Sequence, residues 1–139
     1  MRSANVDLVC SIYAGWERGD FSSPDWAHPE IDFVRADGPS PGKWTGLKGM
    51  VEGTRDWVNT WENASVEVDA FRELDSERVL VLVRYAGRGK ASGLEIGELE
   101  SKGAQVFHIQ GGKVIRFIHY LRRERALADL GLTRPDRAS

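Results

Sequence analysis

The stretch from Gly111 to Leu132, GGKVIRFIHYLRRERALADLGL, constrains the fold more than any other part of the chain. Two adjacent glycines separate Val106-Phe107-His108-Ile109 from Val114-Ile115-Arg116-Phe117-Ile118, which predicts a β-hairpin with a glycine-supported turn. A short helix closed by Gly131 follows the second strand. A sheet that ends by feeding a helix back across its rim can build and close a cavity.

Upstream, Leu8, Val9, Ile12, Tyr13 and Trp16 recur at helical spacing until Gly19-Asp20. Ser22 to Trp26 predicts a capped short turn or helix, Ile31 to Val34 a brief extended segment, and Gly38 to Gly42 a loop. Leu47, Met50, Val51, Thr54, Trp57, Val58 and Trp61 fit a second long amphipathic helix, with Thr45 as its N-cap. From residue 64 the period becomes that of strands. Val66 to Leu74, Val79 to Ala86 and Leu94 to Ile109 are expected strands, with a turn at Asp75-Ser76-Glu77 and a flexible tip from Gly87 to Gly93.

Helices first and a meandering sheet second is an α+β order, in which one twisted sheet curls around the helices. The run Val79-Leu80-Val81-Leu82-Val83 barely alternates, so its strand should be central and covered on both faces. With no further helix expected for the outer face, a homodimer through that face is expected. The length of 139 residues suits a single domain over 1–139. Nineteen Lys and Arg against 21 Asp and Glu give a net charge of -2, which points to no nucleic acid partner. Cys10 is the only cysteine and sits among Val6, Val9 and Ile12, where it acts as a small apolar group. No basic region precedes an apolar run and no segment suits a bilayer, so a soluble cytoplasmic protein with no membrane partner is expected.

Four segments carry a resemblance: Tyr13-Ala14-Gly15-Trp16-Glu17-Arg18-Gly19-Asp20-Phe21, His28-Pro29-Glu30-Ile31-Asp32-Phe33, Trp44-Thr45-Gly46, and Gly111 to Leu132. In order and spacing they resemble the nuclear transport factor 2-like superfamily, in its SnoaL-like branch, over nearly the whole chain. The resemblance implies a conical α+β barrel, a strongly curved antiparallel or mixed sheet wrapped around three N-terminal helices, with a short C-terminal helix. It also implies a small-molecule pocket, in a superfamily that includes polyketide cyclases, ketosteroid isomerase, limonene epoxide hydrolase and members that only bind or assemble. Such breadth does not name a reaction.

Strand parity selects the candidate site residues. Ile115, Phe117, His119 and Leu121 form the more apolar set of the last strand and are expected to line the concave wall, with Gln105, Phe107 and Ile109 opposite. His119 is either a proton shuttle or polar anchor, or else a core histidine hydrogen-bonded to a neighbour or a dimer contact. His108 is expected outside and His28 in a loop; three histidines without ligand spacing suggest no metal site. Laid against ketosteroid isomerase, Gln105 falls where that enzyme has its protonated aspartic acid, and the aspartate base falls near Arg35, with Asp37 two residues on. An amide donates less strongly than a neutral acid, and Arg35 cannot accept a proton at neutral pH. Tyr13 lies within one residue of that enzyme's helix-one tyrosine, and it either donates into the cavity or packs.

The aspartate, arginine, aspartate set of limonene epoxide hydrolase is missing, because no aspartate occurs between Asp75 and Asp129. Arg84 facing Glu95, Glu98 or Glu100 suits a surface ion pair. The carboxylate that a SnoaL-type cyclase would place near the end of the last strand is replaced by Arg122 and Arg123. Trp16, Trp44, Trp57, Trp61 and Phe107, with Phe33, Arg35 and Phe117, make a candidate lining for a flat hydrophobic ligand, Trp44 at the rim; Trp57 and Trp61 also suit core filling.

Two functions follow. One is a cofactor-independent cyclase, isomerase or lyase acting on a hydrophobic carbonyl compound of polyketide, steroid-like or terpenoid type. In it His119 is the acid/base, Asp37 the second proton carrier, and Tyr13 or Gln105 polarises oxygen. The other is a non-catalytic ligand-binding or dimeric assembly domain.

Overall fold

A computed structural model describes residues 3–17, 25–36, 41–89 and 102–132, with the side chains at 16–17, 54, 56–65 and 86–89 outside that description. Asp37 and the side chains of Trp16, Trp57 and Trp61 therefore lie outside the described residues, as do the expected helix at Ser22–Pro24, the tip beyond Gly89 and the strand residues Leu94 to Ser101.

Among the described residues the order is α1 (Ala4–Glu17), β1 (Ala27–Arg35), β2 (Gly42–Thr45), α2 (Gly46–Thr60), β3 (Trp61–Glu73), β4 (Arg78–Gly89), β5 (Lys102–Gln110), β6 (Lys113–Tyr120) and α3 (Arg123–Asp129). The strands form one sheet in the order β2-β1-β6-β5-β4-β3. The pairing of β1 with β6 is parallel and every other is antiparallel, so the sheet is mixed. Register shifts interrupt β1/β6, β3/β4 and β5/β6, and bulges of this kind bend and twist a sheet.

Helix α1 starts at Ser3, whose hydroxyl accepts the Val6 N–H at 3.1 Å. Its buried stripe of Val6, Val9, Ile12 and Tyr13 packs with Met50 of α2 against Ile31, Phe33, Val79, Val81, Val83, Tyr85, Phe107 and Phe117. This is the inner face of the sheet. On the other face Leu80, Ala104, Val106 and Tyr120 gather around Ala126 of α3. β4 is thus an interior strand buried on both sides, as its unbroken apolar run predicts.

The hairpin turn has φ 60° at Gly111 and 78° at Gly112, positive values that a two-residue type I′ turn needs and glycine supplies without strain. Helix α3 ends as the sequence predicts, with Gly131 at φ 72°. The Leu132 N–H reaches the Leu127 carbonyl at 2.7 Å and the Gly131 N–H the Ala128 carbonyl at 3.1 Å, the two bonds of a Schellman motif.

Several expectations need correction. Two helices stand before β3 among the described residues, and Asp25 and Trp26 form a turn; the third expected helix falls on residues outside the described ones. Gly42, the last residue of the expected loop, opens β2, a strand the sequence did not announce, which pairs with β1. Thr45, the expected N-cap of α2, is the last residue of β2, and its hydroxyl donates to Asp32 Oδ1 across the β1/β2 pair at 3.2 Å. Trp61 opens β3 instead of closing α2. His28 is on β1, with its Nδ1 accepting the Glu30 N–H at 3.0 Å.

The outer face does receive a helix. Helix α3 lies over it, tied by the Tyr120 hydroxyl to Asp129 Oδ2 at 3.0 Å. Arg123 fastens the same region across three strands, donating to the Gly103 and Val83 carbonyls at 3.1 and 2.9 Å and to Asp69 at 2.9 Å. The Arg123 hydrogen bond holds the Asp69 carboxyl below the usual carboxylate range. Arg84 also pairs with Asp69, at 2.8 Å, and with Glu67, both on the neighbouring β3.

Candidate functional site

Strand register places Arg35 beside His119, His119 beside Gln105, and Gln105 beside Val81, one row across four strands. The next row is apolar: Phe33, Phe117, Phe107 and Val79. Alternating side chains put both rows on the inner face. Arg35, Gln105 and His119 are the buried polar residues there, only 2%, 3% and 6% exposed.

Tyr13 reaches down from α1 and donates its hydroxyl hydrogen bond to Gln105 Oε1. Gln105 Nε2 donates to the Tyr85 hydroxyl at 3.3 Å, and that hydroxyl donates to the Tyr120 carbonyl at 3.1 Å. The relay fixes both faces of the amide: its oxygen accepts from one tyrosine and its nitrogen serves the other. Tyr85 also meets the His119 ring edge-on, 5.1 Å between centroids. Glycine makes this possible at Gly103, where a Cβ would stand 2.1 Å from Tyr85 Cε2 and 2.6 Å from the Tyr120 oxygen.

The other end of the row belongs to Arg35. Its guanidinium donates to the Gly53 carbonyl of α2 at 2.6 Å and lies 4.9 Å from the centroid of the Trp44 ring, a cation–π distance. A Cβ on Gly53 would sit 2.6 Å from Phe33, so the missing side chain lets α2 press onto β1 and bring that carbonyl within reach. Beside the polar row, Phe107 and Phe117 stack at 4.5 Å with 14° between planes, flanked by Phe33 and by Tyr13.

Burial first, and the Arg35 charge second, push the His119 pKa down to about 3. The imidazole is therefore neutral at pH 7, outside the near-neutral titration that a free imidazole offers. Burial and the neighbouring Tyr85 hold the Tyr13 phenol well above its usual value. Arg35 is the permanent charge of the row, and its neighbours can donate or accept hydrogen bonds without changing charge at pH 7.

Of the residues that sequence points to, Tyr13, Arg35, Gln105 and His119 share one buried group, with Phe33, Phe107 and Phe117 beside it. Trp44 is half-buried on β2. His108 faces away, 3.1 Å from Glu77. Ile115 is displaced from the inner set, because the register shift between β5 and β6 gives its place to the fully buried Val114. Tyr85 was not anticipated, although it continues the odd-numbered series Val79, Val81, Val83 onto the same face.

No protein-family model matches the sequence, and no curated protein matches it. Solved structures do match its shape. An NTF2-like protein from Burkholderia thailandensis is 23% identical over 86% of this chain and 90% of its own, with a TM-score of 0.72. TerC, co-crystallised with polyporic acid, is 19% identical over 92% and 98%, with a TM-score of 0.70. A protein from Jannaschia sp. CCS1 described as a SnoaL-like polyketide cyclase is 16% identical over 86% and 88%, with a TM-score of 0.67. Six mixed strands, two helices against one face and a third against the other give this chain the nuclear transport factor 2-like fold, the fold of proteins described as SnoaL-like polyketide cyclases.

Proposed function

We propose that the protein binds a small hydrophobic carbonyl compound, of polyketide, steroid-like or terpenoid type, on the inner face of its sheet. The observation that carries this reading is the polar row set beside stacked aromatics on an otherwise apolar buried face. Gln105 directs one N–H to Tyr85, and its second N–H is the donor for a ligand oxygen. Neutral His119 supplies a second hydrogen-bonding group, and the phenylalanines bed a flat ring. The polyporic acid with which TerC was co-crystallised and the cyclase description of the Jannaschia protein support a ligand of this kind. A homodimer through the outer face, where Leu82 and Ile118 remain half-buried beside the α3 cluster, belongs to the same proposal.

A second reading, a cyclase, isomerase or lyase without cofactor, is favoured by His119 and Gln105 being register partners, so that a proton donor or acceptor stands next to an oxygen-polarising amide. Its His119 pKa of about 3 makes a weak base at pH 7, and for that reason binding is the primary reading.

The test is a thermal-shift and tryptophan-fluorescence screen with aromatic polyketides. A true ligand at about 100 times its Kd stabilises by roughly 2.7 kcal/mol, and Gln105→Leu should weaken it about tenfold. Absence of any stabilising compound, or unchanged affinity in Gln105→Leu, contradicts the proposal.

A further inference from the structure

Hydrogen-bond direction around Gln105 is set by a backbone carbonyl on another strand. A carbonyl can only accept, so the Tyr120 oxygen, 3.1 Å from the Tyr85 hydroxyl, takes that hydroxyl's single proton. The Tyr85 oxygen then offers only lone pairs to Gln105, and the amide turns its nitrogen toward it at 3.3 Å. The amide oxygen is thereby turned to Tyr13, whose hydroxyl donates to it. Reversing the amide would set Gln105 Oε1 against the Tyr85 oxygen, two buried acceptors with no proton between them. The ring that transmits this direction is held in place, for Tyr85 is 1% exposed and passes over Gly103, where a Cβ would collide with it.

Resting on the binding proposal above, we infer that Tyr85 is a positioning residue that makes the Gln105 end of the site donor-only, so that the ligand group there is an oxygen with lone pairs, as in a ketone, quinone or lactone, and not a ring N–H. An N–H brought to this end would face another N–H, and both donors would be buried without a partner. A site built around a fixed donor discriminates against an analogue that cannot accept from it. Tyr85 makes this choice through the amide, without touching the ligand.

The probes are fluorenone and carbazole, flat tricyclic molecules of similar outline, the first with a carbonyl and the second with an N–H at the corresponding ring position. Their affinities are compared by equilibrium dialysis with the wild-type protein and Tyr85→Phe. The wild type should bind fluorenone at least about tenfold more tightly. In Tyr85→Phe the amide nitrogen loses its acceptor, whereas the Tyr13 hydroxyl, with a proton and lone pairs, can hold the amide either way round, so the two affinities should come within about threefold. Both affinities are read on the same protein, so a general loosening of the site cancels from their ratio. In the free wild-type protein, NMR cross-relaxation from the Gln105 side-chain N–H protons should be stronger to the Tyr85 ring than to the Tyr13 ring.

Equal wild-type affinities, or tighter binding of carbazole, would overturn the donor-only end while leaving the binding site in place. A preference that survives undiminished in Tyr85→Phe would overturn the assignment to Tyr85. If neither probe binds, the selection falls together with the ligand reading on which it rests. Should Tyr85→Phe not fold, the wild-type ratio and the cross-relaxation decide: a preference for fluorenone with the amide protons nearer Tyr85 supports the proposal, and the failure of either overturns it.

Discussion

Acidification from pH 7 to 4.5 should cost the wild-type protein about 3 kcal/mol more stability than it costs a His119→Leu variant. The imidazole titrates near 6.5 when free and near 3 when folded, because burial and the Arg35 charge both oppose protonation. Between those values the unfolded chain binds a proton that the native chain refuses. Unfolding is therefore favoured progressively as pH falls through 6.5, at about 1.4 kcal/mol per unit, until the folded imidazole itself titrates near 3. Above 6.5 both states are neutral and the effect vanishes. Leucine at 119 has no proton to bind, so its variant keeps only the acid sensitivity of the carboxylates. Denaturant midpoints at the two pH values measure the difference, and equal losses in both proteins would mean that His119 is not held neutral by its surroundings.

Gly103→Ala should lose about 3 kcal/mol, because among the described glycines its added Cβ would make the shortest contact. The new Cβ would occupy the space of the Tyr85 ring, 2.1 Å from Cε2, and crowd the Tyr120 carbonyl at 2.6 Å. Neither neighbour yields easily: the ring is fully buried, and its hydroxyl is fixed between Gln105 and Tyr120. Paired β-strands on both sides of β5 also limit backbone movement. Removing the ring first should relieve most of the strain, so the cost of Gly103→Ala should fall by half or more in a Tyr85→Ala background. Thermal denaturation of the four proteins gives the coupling, and an additive pair would contradict the close packing.

These two expectations differ in how far sequence anticipates them. His119 and Gln105 are legible on the inner face because alternation from Phe117 and Phe107 carries directly to them, but their being neighbours is not, since the register set at the glycine turn is moved by one residue at the bulge beside Ile109 before it reaches them. Gly131 likewise marks the end of α3, since only a positive φ closes that helix. Contacts between distant segments are not legible. Tyr85 continues a strand pattern, but its role depends on the gap that Gly103 leaves on another strand. β2 is four residues long and gains its identity from pairing with β1. The displacement of Ile115 by Val114 arises from a bulge, which moves parity without any local signature. Helix α3 covers the outer face because Arg123 and Tyr120 find Asp69, strand carbonyls and Asp129, partners that its seven-residue sequence does not announce.

The positions laid against ketosteroid isomerase fall in the buried polar row, and their electrostatics do not suit that reaction. A cation stands near the position of the base, an amide at that of the acid, and the intervening imidazole is neutral at pH 7. That electrostatic pattern is the reason the proposed function is binding rather than proton transfer at neutral pH.

The central claim, that ligand sits on the row from Arg35 to Gln105 beneath Tyr13, is tested most directly by NMR titration with 2-hydroxy-1,4-naphthoquinone. The account predicts saturable shifts of the Gln105 side-chain amide, the His119 ring and the Phe107 and Phe117 rings. Saturable shifts confined to the outer face around Leu82, Ile118 and α3, with the row unmoved, would contradict it.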